Sequence, residues 1–257
     1  MRTPILAGNW KMYKTVAEAK SLVSESKDDL LAVSGVDKVF CPPFLAVPAV
    51  AELVAGTALG VGAQDMYWED EGAYTGEVSP LMAKEFCQYV IIGHSERREY
   101  FGETDADVNK KIKAALRHGL TPIVCVGESL EIRQAGDTER WVTEQVRGAV
   151  ADLTGEQVAG LVFAYEPIWA IGTGLAATPQ DAEHVCGSVV RATVREMYGA
   201  QVAEAVRIQY GGSIKPGNAL DLMSQPNVDG GLVGGASLQA ADFVAIVRHT
   251  AEAKGTA

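Results

Sequence analysis

The chain has 257 residues, of which 47% are hydrophobic and 21% are charged. A chain of this length buries about 70–75% of its unfolded surface without help from disulfides or metal ions, so we expect one domain over residues 1–257. Lys and Arg number 22 against 33 Asp and Glu, a formal net charge of −11. This acidic balance disfavours a nucleic-acid partner, and apolar runs far shorter than roughly 18 residues disfavour a membrane span.

The N-terminal segment and the cysteines indicate a cytoplasmic protein. The apolar run Ile5–Gly8 is too short for a signal peptide, and we predict that it is the first strand of a protein that stays in the cytosol. Four cysteines are isolated, with no CxxC pair and no close Cys/His spacing that would hold zinc. We therefore predict free thiols and no metal site. These cysteines are Cys41, Cys87, Cys125 and Cys186.

Short aliphatic or β-branched runs alternate with segments of helical spacing along the chain. The predicted strands are Ile5–Asn9, Val36–Cys41, Leu59–Gln64, Tyr89–Gly93, Pro122–Gly127, Leu161–Glu166, Val206–Tyr210 and Val228–Gly234. The predicted helices include Val16–Leu31, Asp105–His118, Glu139–Leu153, Asp181–Tyr198 and Ala240–Ala251. Thr104 or Asp105 is expected to cap the second of these helices, and Gly119 to end it. Thr178 and Pro179 are expected to open the fourth.

This alternation predicts an α/β fold with parallel strands that are buried on both faces. Eight strand–helix units without a linker favour a single closed (β/α)8 barrel, and an open doubly wound sheet stays as the alternative. Two connections, Asp65–Ser79 and Pro167–Ala177, are longer than the others, and long connections are usually functional.

The ends of the predicted strands collect the residues that can do chemistry. In a parallel barrel the active site lies at the carboxyl ends of the strands, so their last residues are site candidates. In strand order, these candidates are Asn9, Lys11, His94, Ser95, Glu96, Cys125, Glu128, Glu166, Gly211, Gly212, Ser213, Gly234 and Gly235.

Four of the candidates that carry or can carry charge are given roles here, and each role has an alternative. Glu166 ends an apolar run, so we expect a raised pKa and a role as general base, or else a structural salt bridge. His94 precedes a short helix whose dipole favours a neutral imidazole that donates to a carbonyl oxygen; a purely structural histidine is the alternative. Lys11 is suited to a substrate anion, and we expect Glu96 to be its partner or an arginine's rather than a second acid.

Glycines at neighbouring strand ends indicate the class of ligand. Gly172–Gly174, Gly211–Ser213 and Gly234–Gly235 present backbone N–H groups where barrels commonly bind phosphate. We therefore predict a small phosphate ester as the ligand. Neither GxGxxG after a strand nor GxxxxGK[ST] is present, so the dinucleotide and P-loop classes are excluded.

Several reaction classes fit this set of residues to different degrees. An aldolase requires a desolvated lysine, whereas Lys11 follows Trp10 at the mouth of the barrel. A glycosidase pairing Glu96 with Glu166 has no use for a phosphate site. A non-catalytic phosphate-binding barrel leaves a Glu and a His unexplained. Isomerisation of a phosphorylated hydroxycarbonyl compound uses a base, an electrophile and a cation, and requires no cofactor.

Four sequence stretches resemble the triosephosphate isomerase family, and the resemblance extends over essentially the whole chain. It implies interconversion of dihydroxyacetone phosphate and D-glyceraldehyde 3-phosphate through an enediolate, a step of glycolysis and gluconeogenesis. A non-catalytic phosphate-binding barrel and a phosphosugar aldolase stay as alternatives. The matching stretches are Gly8–Met12, Gly93–Arg98, Ala164–Gly174 and Tyr210–Ser213.

The resemblance also implies roles for single residues. Glu166 is implied as the base and His94 as the neutral electrophile, while Lys11 and Asn9 stabilise negative charge. Backbone N–H groups are implied to hold the phosphate at Gly172, Ser213, Gly234 and Gly235. Ser95, Glu96 and Cys125 are expected to support the reacting side chains from behind.

The connection after the sixth strand resembles the family's closing lid. Leu175 departs from the lysine that is frequent in its second hinge, and Tyr13-Lys14 depart from the usual Asn-Gly; we expect neither departure to touch a catalytic position. The lid residues are Pro167, Ile168, Trp169, Ala170, Ile171, Gly172, Thr173, Gly174, Leu175, Ala176 and Ala177.

The long connection Asp65–Ser79 predicts a homodimer. It carries Met66, Tyr67, Trp68 and Tyr74, residue types that are enriched in the cores of interfaces. We expect these side chains to be exposed and to insert into a second copy of the chain, as in a two-fold pair. The family resemblance places Thr75 against Asn9 and Lys11 of the neighbouring subunit. The alternative is that the loop folds back on its own barrel.

Overall fold

The computed structural model describes residues 2–171 and 177–256. Within these residues, parallel strands and helices alternate along the chain. The strands are β1 (Ile5–Asn9), β2 (Asp37–Cys41), β3 (Leu59–Ala63), β4 (Tyr89–Ile92), β5 (Thr121–Val126), β6 (Val162–Tyr165), β7 (Arg207–Tyr210) and β8 (Gly230–Val233). The helices are α1 (Val16–Leu31), α2 (Val47–Val54), α3 (Pro80–Lys84), α4 (Ser95–Phe101), α5 (Asp105–Arg117), α6 (Leu130–Gln134), α7 (Thr138–Ala149), α8 (Gly155–Ala159), α9 (Pro179–Glu183), α10 (Ala192–Tyr198), α11 (Ala200–Ala205), α12 (Pro216–Met223) and α13 (Ala240–Ala253).

The strands form a closed barrel in which each pairs with the next and β8 pairs with β1. The predicted (β/α)8 barrel is confirmed, and the open sheet is excluded because β1 and β8 are joined in register from Ile5↔Gly230 to Gly8↔Val233. Several predicted strands extend one residue beyond the ladder. Gln64, Glu166 and Gly234 directly follow the ends of their strands, because the backbone leaves the sheet there to enter the following loop.

The hydrophobic core has two layers. Side chains that alternate along the strands fill the barrel interior, and those on the other face of the strands pack against the helices. The inward-facing set is Ile5, Ala7, Val39, Cys41, Ile91, Ile123, Cys125, Val162, Ala164 and Leu232. At the carboxyl ends of β5 and β6 the backbones of Gly127 and Glu166 come very close. A Cβ on Gly127 would lie 1.8 Å from the Glu166 carbonyl oxygen.

The helix starts follow the capping chemistry of the sequence. Thr104, rather than Asp105, caps α5, and its hydroxyl and amide exchange hydrogen bonds with Asp107. Thr178 caps α9, with Pro179 as its first residue. The predicted helix Asp181–Tyr198 is divided, because α9 and α10 are joined by a π-helical segment, His184–Arg191. In the described part of the chain, every helix is too short or too polar to cross a membrane.

The connection Asp65–Ser79 is anchored on its own barrel, and one expectation about it is wrong. Met66 is 1% exposed and belongs to the core between barrel and helices, so it is not an exposed interface residue. It directly follows Asp65, whose buried ion pair with Lys111 anchors the start of the connection on its own barrel. Tyr67 stacks between the rings of Trp68 and Tyr74, and Tyr74 is still 43% exposed.

Candidate active site

A cavity of about 510 Å³ opens at the carboxyl ends of the strands. It brings together residues that are far apart in sequence but follow β1, β4, β6, β7 and β8. Ile171, which was predicted as a lid residue, and Leu232, which the sequence analysis missed, add an apolar wall. The predicted residues that line the cavity are Asn9, Lys11, His94, Glu166, Gly211, Gly212, Ser213, Gly234 and Gly235.

Glu166 is almost completely buried and accepts hydrogen bonds from the start of α4. Its Oε2 accepts from the Ser95 amide at 3.0 Å, and its Oε1 lies 2.9 Å from His94 Nε2. The Ser95 hydroxyl lies 3.4 Å from Oε1. The carboxylate is therefore held at the cavity wall by donors that lie on a different strand end.

His94 is the N-cap residue of α4, and its ring is oriented by backbone. Its Nδ1 accepts from the Glu96 amide at 3.2 Å, so the proton of a neutral ring lies on Nε2 and points at Glu166. Burial lowers the pKa of His94, but the facing Glu166 and then Glu96 raise it above the ordinary value of 6.5. The helix start fixes the tautomer, which the sequence analysis did not predict. The pKa of His94 shifts towards the charged form, opposite to the direction expected from the helix dipole, because Glu166 outweighs it.

The pKa of Glu166 also differs from the expectation. Burial raises it, but His94, the Ser95 amide and Lys11 together hold it below its ordinary value of 4.5. The expected rise is therefore wrong for this arrangement, because the carboxylate faces donors rather than only apolar walls. Glu166 is an ionised acceptor at neutral pH, as a general base must be.

Lys11 adopts an unusual backbone conformation at the mouth of the cavity. Its φ is 52°, a left-handed value, and its amide donates to Asn9 Oδ1 at 3.0 Å. Its Nζ lies 2.5 Å from Glu96 Oε1, so Glu96 is its partner, as expected. Gln64 Nε2 donates to the carbonyls of Lys11 and Cys41, both at 2.8 Å. Gln64 was missed as a site residue, although it was the last residue of a predicted strand.

The glycine-rich side of the cavity follows β7 and β8. Ser213, Gly234 and Gly235 line it, and Asn218 Nδ2 donates to the Ser213 carbonyl at 3.0 Å. A Cβ on Gly212 would lie 2.2 Å from the Tyr210 hydroxyl, so only glycine fits there. Gly172 lies outside the described residues.

Cys125 lies in the barrel layer beneath Glu166. Its thiol is fully buried, and burial followed by the charge of Glu166 raises the pKa of Cys125 well above its ordinary value. A neutral thiol supports the carboxylate from below without adding charge. Across residues 2–171 and 177–256, no three His, Cys, Asp or Glu side chains are grouped so as to hold a metal ion.

The first residues of the predicted lid are held by a buried carboxylate. Trp169 lies in a 3-10 turn, Ile168–Ala170, and its Nε1 donates to Glu128 Oε1 at 2.8 Å. The Tyr165 hydroxyl donates to the same oxygen at 3.1 Å, and the Ile168 amide donates to the Glu128 carbonyl at 3.1 Å. Of the remaining lid residues, Gly172, Thr173, Gly174, Leu175 and Ala176 lie outside the described residues.

One departure from the family pattern does reach the cavity. Tyr13 lines it beside Lys11. Tyr13 is not one of the predicted catalytic residues, so the expectation that neither departure touches a catalytic position stays a prediction. The backbone of Lys11 has a left-handed φ of 52° two residues before Tyr13. The other departure from the family pattern, Leu175, is not among the described residues.

Comparisons with known proteins agree with this geometry. The family described as Triosephosphate isomerase matches residues 4–250. The chain is 58% identical to a protein named Triosephosphate isomerase from Chloroflexus aurantiacus, over 97% of this chain and 100% of that one. Proteins of the same name from Moorella thermoacetica and Ligilactobacillus salivarius are 55% and 54% identical, each over 97% of this chain and 99% of its own length. The chain belongs to the triosephosphate isomerase family.

Proposed function

We propose that the protein interconverts dihydroxyacetone phosphate and D-glyceraldehyde 3-phosphate in glycolysis and gluconeogenesis. The observation that carries this proposal is the pair of Glu166 Oε1 and His94 Nε2, 2.9 Å apart on a cavity that Lys11 also lines. A Schiff-base aldolase is disfavoured, because Lys11 is ion-paired with Glu96 whereas such a lysine reacts as a neutral amine.

Glu166 is proposed as the base that moves a proton between the two carbons. Its carboxylate removes a proton from C1 of dihydroxyacetone phosphate; the C1–H electron pair forms the C1–C2 double bond and the C2=O π pair moves onto the C2 oxygen, which gives an enediolate. The proton then returns at C2 while the C1 hydroxyl proton passes to the C2 oxygen, so that C1 becomes the aldehyde carbon. When the substrate oxygen takes over the bond from His94 Nε2, Glu166 loses a partner that lowers its pKa while its burial persists. The carboxylate then becomes a stronger base.

His94, Lys11 and Asn9 are proposed to stabilise the negative oxygen of the enediolate. The Glu96 amide holds His94 with its Nε2 proton towards the cavity, and Asn9 bonds to the Lys11 amide. The Lys11 ammonium can exchange Glu96 for the substrate at little cost, since both partners are anionic. The phosphate is proposed to bind the backbone N–H groups at Gly172, Ser213, Gly234 and Gly235.

One assay tests the proposed reaction. Formation of glyceraldehyde 3-phosphate from dihydroxyacetone phosphate is followed with a coupled dehydrogenase, and no metal or cofactor is added to the purified protein. We expect turnover that survives treatment with a chelator. A protein that binds the substrate but forms no product would instead be a phosphate-binding barrel.

The lid, Pro167–Ala177, is proposed to exclude water from the enediolate, which otherwise eliminates phosphate. Deletion of Ile171–Gly174 should therefore lower turnover and release methylglyoxal and inorganic phosphate. A shortened chain that releases no more phosphate per turnover than the wild type contradicts this role.

We further propose a homodimer, with the whole chain, residues 1–257, as one domain in each subunit. Large apolar side chains follow four neighbouring strands: Met12, Leu45, Met82 and Phe101 are 94, 88, 57 and 69% exposed. The connection between β3 and β4 carries Tyr67, Trp68, Tyr74 and Thr75. In a two-fold pair, one interface at this sector of the rim would bury these exposed side chains together with the connection. They are therefore a stronger reason for a dimer than the connection Asp65–Ser79 alone.

Sedimentation tests the dimer. Thr75→Arg places a charge at an exposed position of the loop and should give a monomer of low activity, if Thr75 braces Asn9 and Lys11 of a second subunit. Gln201→Arg, at an exposed position of α11, adds the same charge and should stay a dimer. A monomeric wild type, or a fully active monomeric Thr75 variant, contradicts the proposal. We also propose that the protein acts in the cytoplasm, where phosphorylated trioses are handled.

A further inference from the structure

Arg133 on α6 contacts the two flanks of the lid with one side chain. Its guanidinium carbon lies 4.2 Å from the centre of the Trp169 ring, near the start of the lid. Its NH2 lies 3.0 Å from Asp181 Oδ1, in the first turn of α9, which follows the lid. A planar guanidinium can stack on an indole and donate to a carboxylate at the same time, which a lysine cannot do.

The two residues that Arg133 contacts, Trp169 and Asp181, each form further hydrogen bonds that hold their segments in place. Trp169 donates its Nε1 proton to Glu128, which is completely buried, and Arg133 NH1 lies 3.9 Å from the same Glu128 oxygen. Asp181 uses its other oxygen to accept from the amide and hydroxyl of Thr178, at 3.0 and 2.7 Å. Arg133 therefore stacks on the Trp169 ring and lies close to the buried Glu128 carboxylate. It also forms an ion pair with Asp181 at the start of α9.

We propose that Arg133 is a positioning residue for the isomerisation, acting through Trp169 and Asp181. This inference rests on the proposed function. Trp169 is three residues beyond Glu166, so an indole that leaves Glu128 moves the backbone that carries the base. A base displaced by about 1 Å can lose a factor of about 10² in rate, and an enediolate in a poorly closed site eliminates phosphate more often.

The decisive variant is Arg133→Gln, with Arg140→Gln as a matched control. Arg140 is 57% exposed on α7, paired with Asp137 and Glu144, and its loss removes the same charge. For Arg133→Gln we expect kcat to fall by about 10- to 100-fold with a smaller change in KM, and phosphate release per isomerisation to rise. For Arg140→Gln both quantities should equal those of the wild type. The ratio of elimination to isomerisation does not depend on how much protein is folded.

Arg133→Lys separates stacking from charge. It keeps a cation beside Asp181 and Glu128 but loses the planar group over Trp169, so we expect phosphate release between that of the wild type and that of Arg133→Gln. In a double-mutant cycle, Arg133→Gln should cost less in the Trp169→Leu background than in the wild type, because Trp169→Leu has already removed the ring on which Arg133 stacks. Additive effects would show that Arg133 acts by another route.

A spectroscopic measurement keeps this inference separate from the proposed function. Fluorotryptophan is incorporated and the Trp169 resonance is assigned with Trp169→Phe. In Arg133→Gln this resonance should move, while that of Trp10, which is fully buried beside β1, stays in place. An inactive wild type overturns the proposed function alone. An active wild type with unchanged Trp169 resonance and unchanged phosphate release in Arg133→Gln overturns the positioning role.

Discussion

Two groups of four charged or titratable side chains lie close together in this protein and behave differently. The rim cluster is Lys11, His94, Glu96 and Glu166, and the buried cluster is Asp65, Arg97, Glu103 and Lys111. In the buried cluster each carboxylate contacts both cations: Lys111 Nζ lies 2.6 and 2.7 Å from Asp65 and Glu103, and Arg97 Nε lies 2.9 and 3.0 Å from them. In the rim cluster, Glu166 is held by a histidine and an amide at the wall of a cavity.

The difference shows what separates a carboxylate that lines the cavity from structural ones. Glu166 can exchange His94 for a substrate, since both side chains line the cavity. Asp65 and Glu103 are locked by two cations, and Glu103 Oε1 also accepts from the Gly93 amide at 3.0 Å, next to His94. The buried cluster thus supports the strand end from which the rim cluster projects.

The largest effect is expected at the rim cluster. Glu166→Gln removes the base but keeps the size of the side chain, so kcat should fall by at least roughly 10²–10⁴ while substrate affinity changes modestly. The fold should be retained, because the buried cluster is untouched. Steady-state kinetics and circular dichroism check this, and activity within about threefold of the wild type would remove Glu166 from its role.

A substitution in the buried cluster should lower the stability of the protein much more than its activity. Lys111→Met leaves two buried carboxylates with Arg97 alone, so the free energy of unfolding should fall by about 3–5 kcal/mol, while the kcat of the folded protein falls far less than in Glu166→Gln. Lys113→Met is the control, since its partner Asp152 is 88% exposed and the expected change is below about 1 kcal/mol. Urea titrations at matched protein concentration measure both. Equal losses of unfolding free energy in Lys111→Met and Lys113→Met would contradict the structural role of the buried cluster.

A smaller effect is expected from the pH dependence of Asp65. Burial, partly offset by Lys111, raises the pKa of Asp65 from 3.8 to about 6. The folded state therefore binds this proton more tightly than the unfolded state; the resulting stabilisation is fully present below pH 3.8 and is lost as the pH rises through about 6.

Asp65→Asn removes this titration. Between pH 7 and pH 4, the wild type should gain up to about 3 kcal/mol relative to the variant, whichever of the two is more stable at neutral pH. Urea unfolding of both proteins at several pH values measures the gain. A difference that stays constant with pH would show that Asp65 is not the titrating group.

The smallest effect concerns the titration of Glu166 itself. Because His94 is the main partner that holds the pKa of Glu166 below 4.5, His94→Gln should raise that pKa. In the wild type the stabilisation from ionised Glu166 is present above pH 4.5 and is lost as the pH falls through its lower folded pKa. Carbon NMR of labelled glutamate, assigned with Glu166→Gln, follows the shift. His118→Gln, next to Asp70, should leave the Glu166 resonance unchanged.

Sequence reasoning reached the barrel, most strand positions and the cavity-lining residues because they depend on local patterns. An apolar strand followed by Glu166 or by Gly234-Gly235 is visible in a short window, and a parallel barrel brings all strand ends to one rim. The same windows predicted the start of α9 from Thr178 and Pro179, since capping is a contact between near neighbours.

The structure was required wherever partners are distant in sequence. Gln64 holds the Lys11 carbonyl across 53 positions, Lys111 meets Asp65 across 46, and no local pattern marks either pair. The directions of the pKa shifts of Glu166 and His94 were mispredicted for the same reason, because each depends on a charge that is about 70 residues away in the chain and 2.9 Å away in space. Periodicity and capping act over a few residues, and they decide which elements form. Burial and charge act through space, so only the closed barrel decides which side chains share a proton.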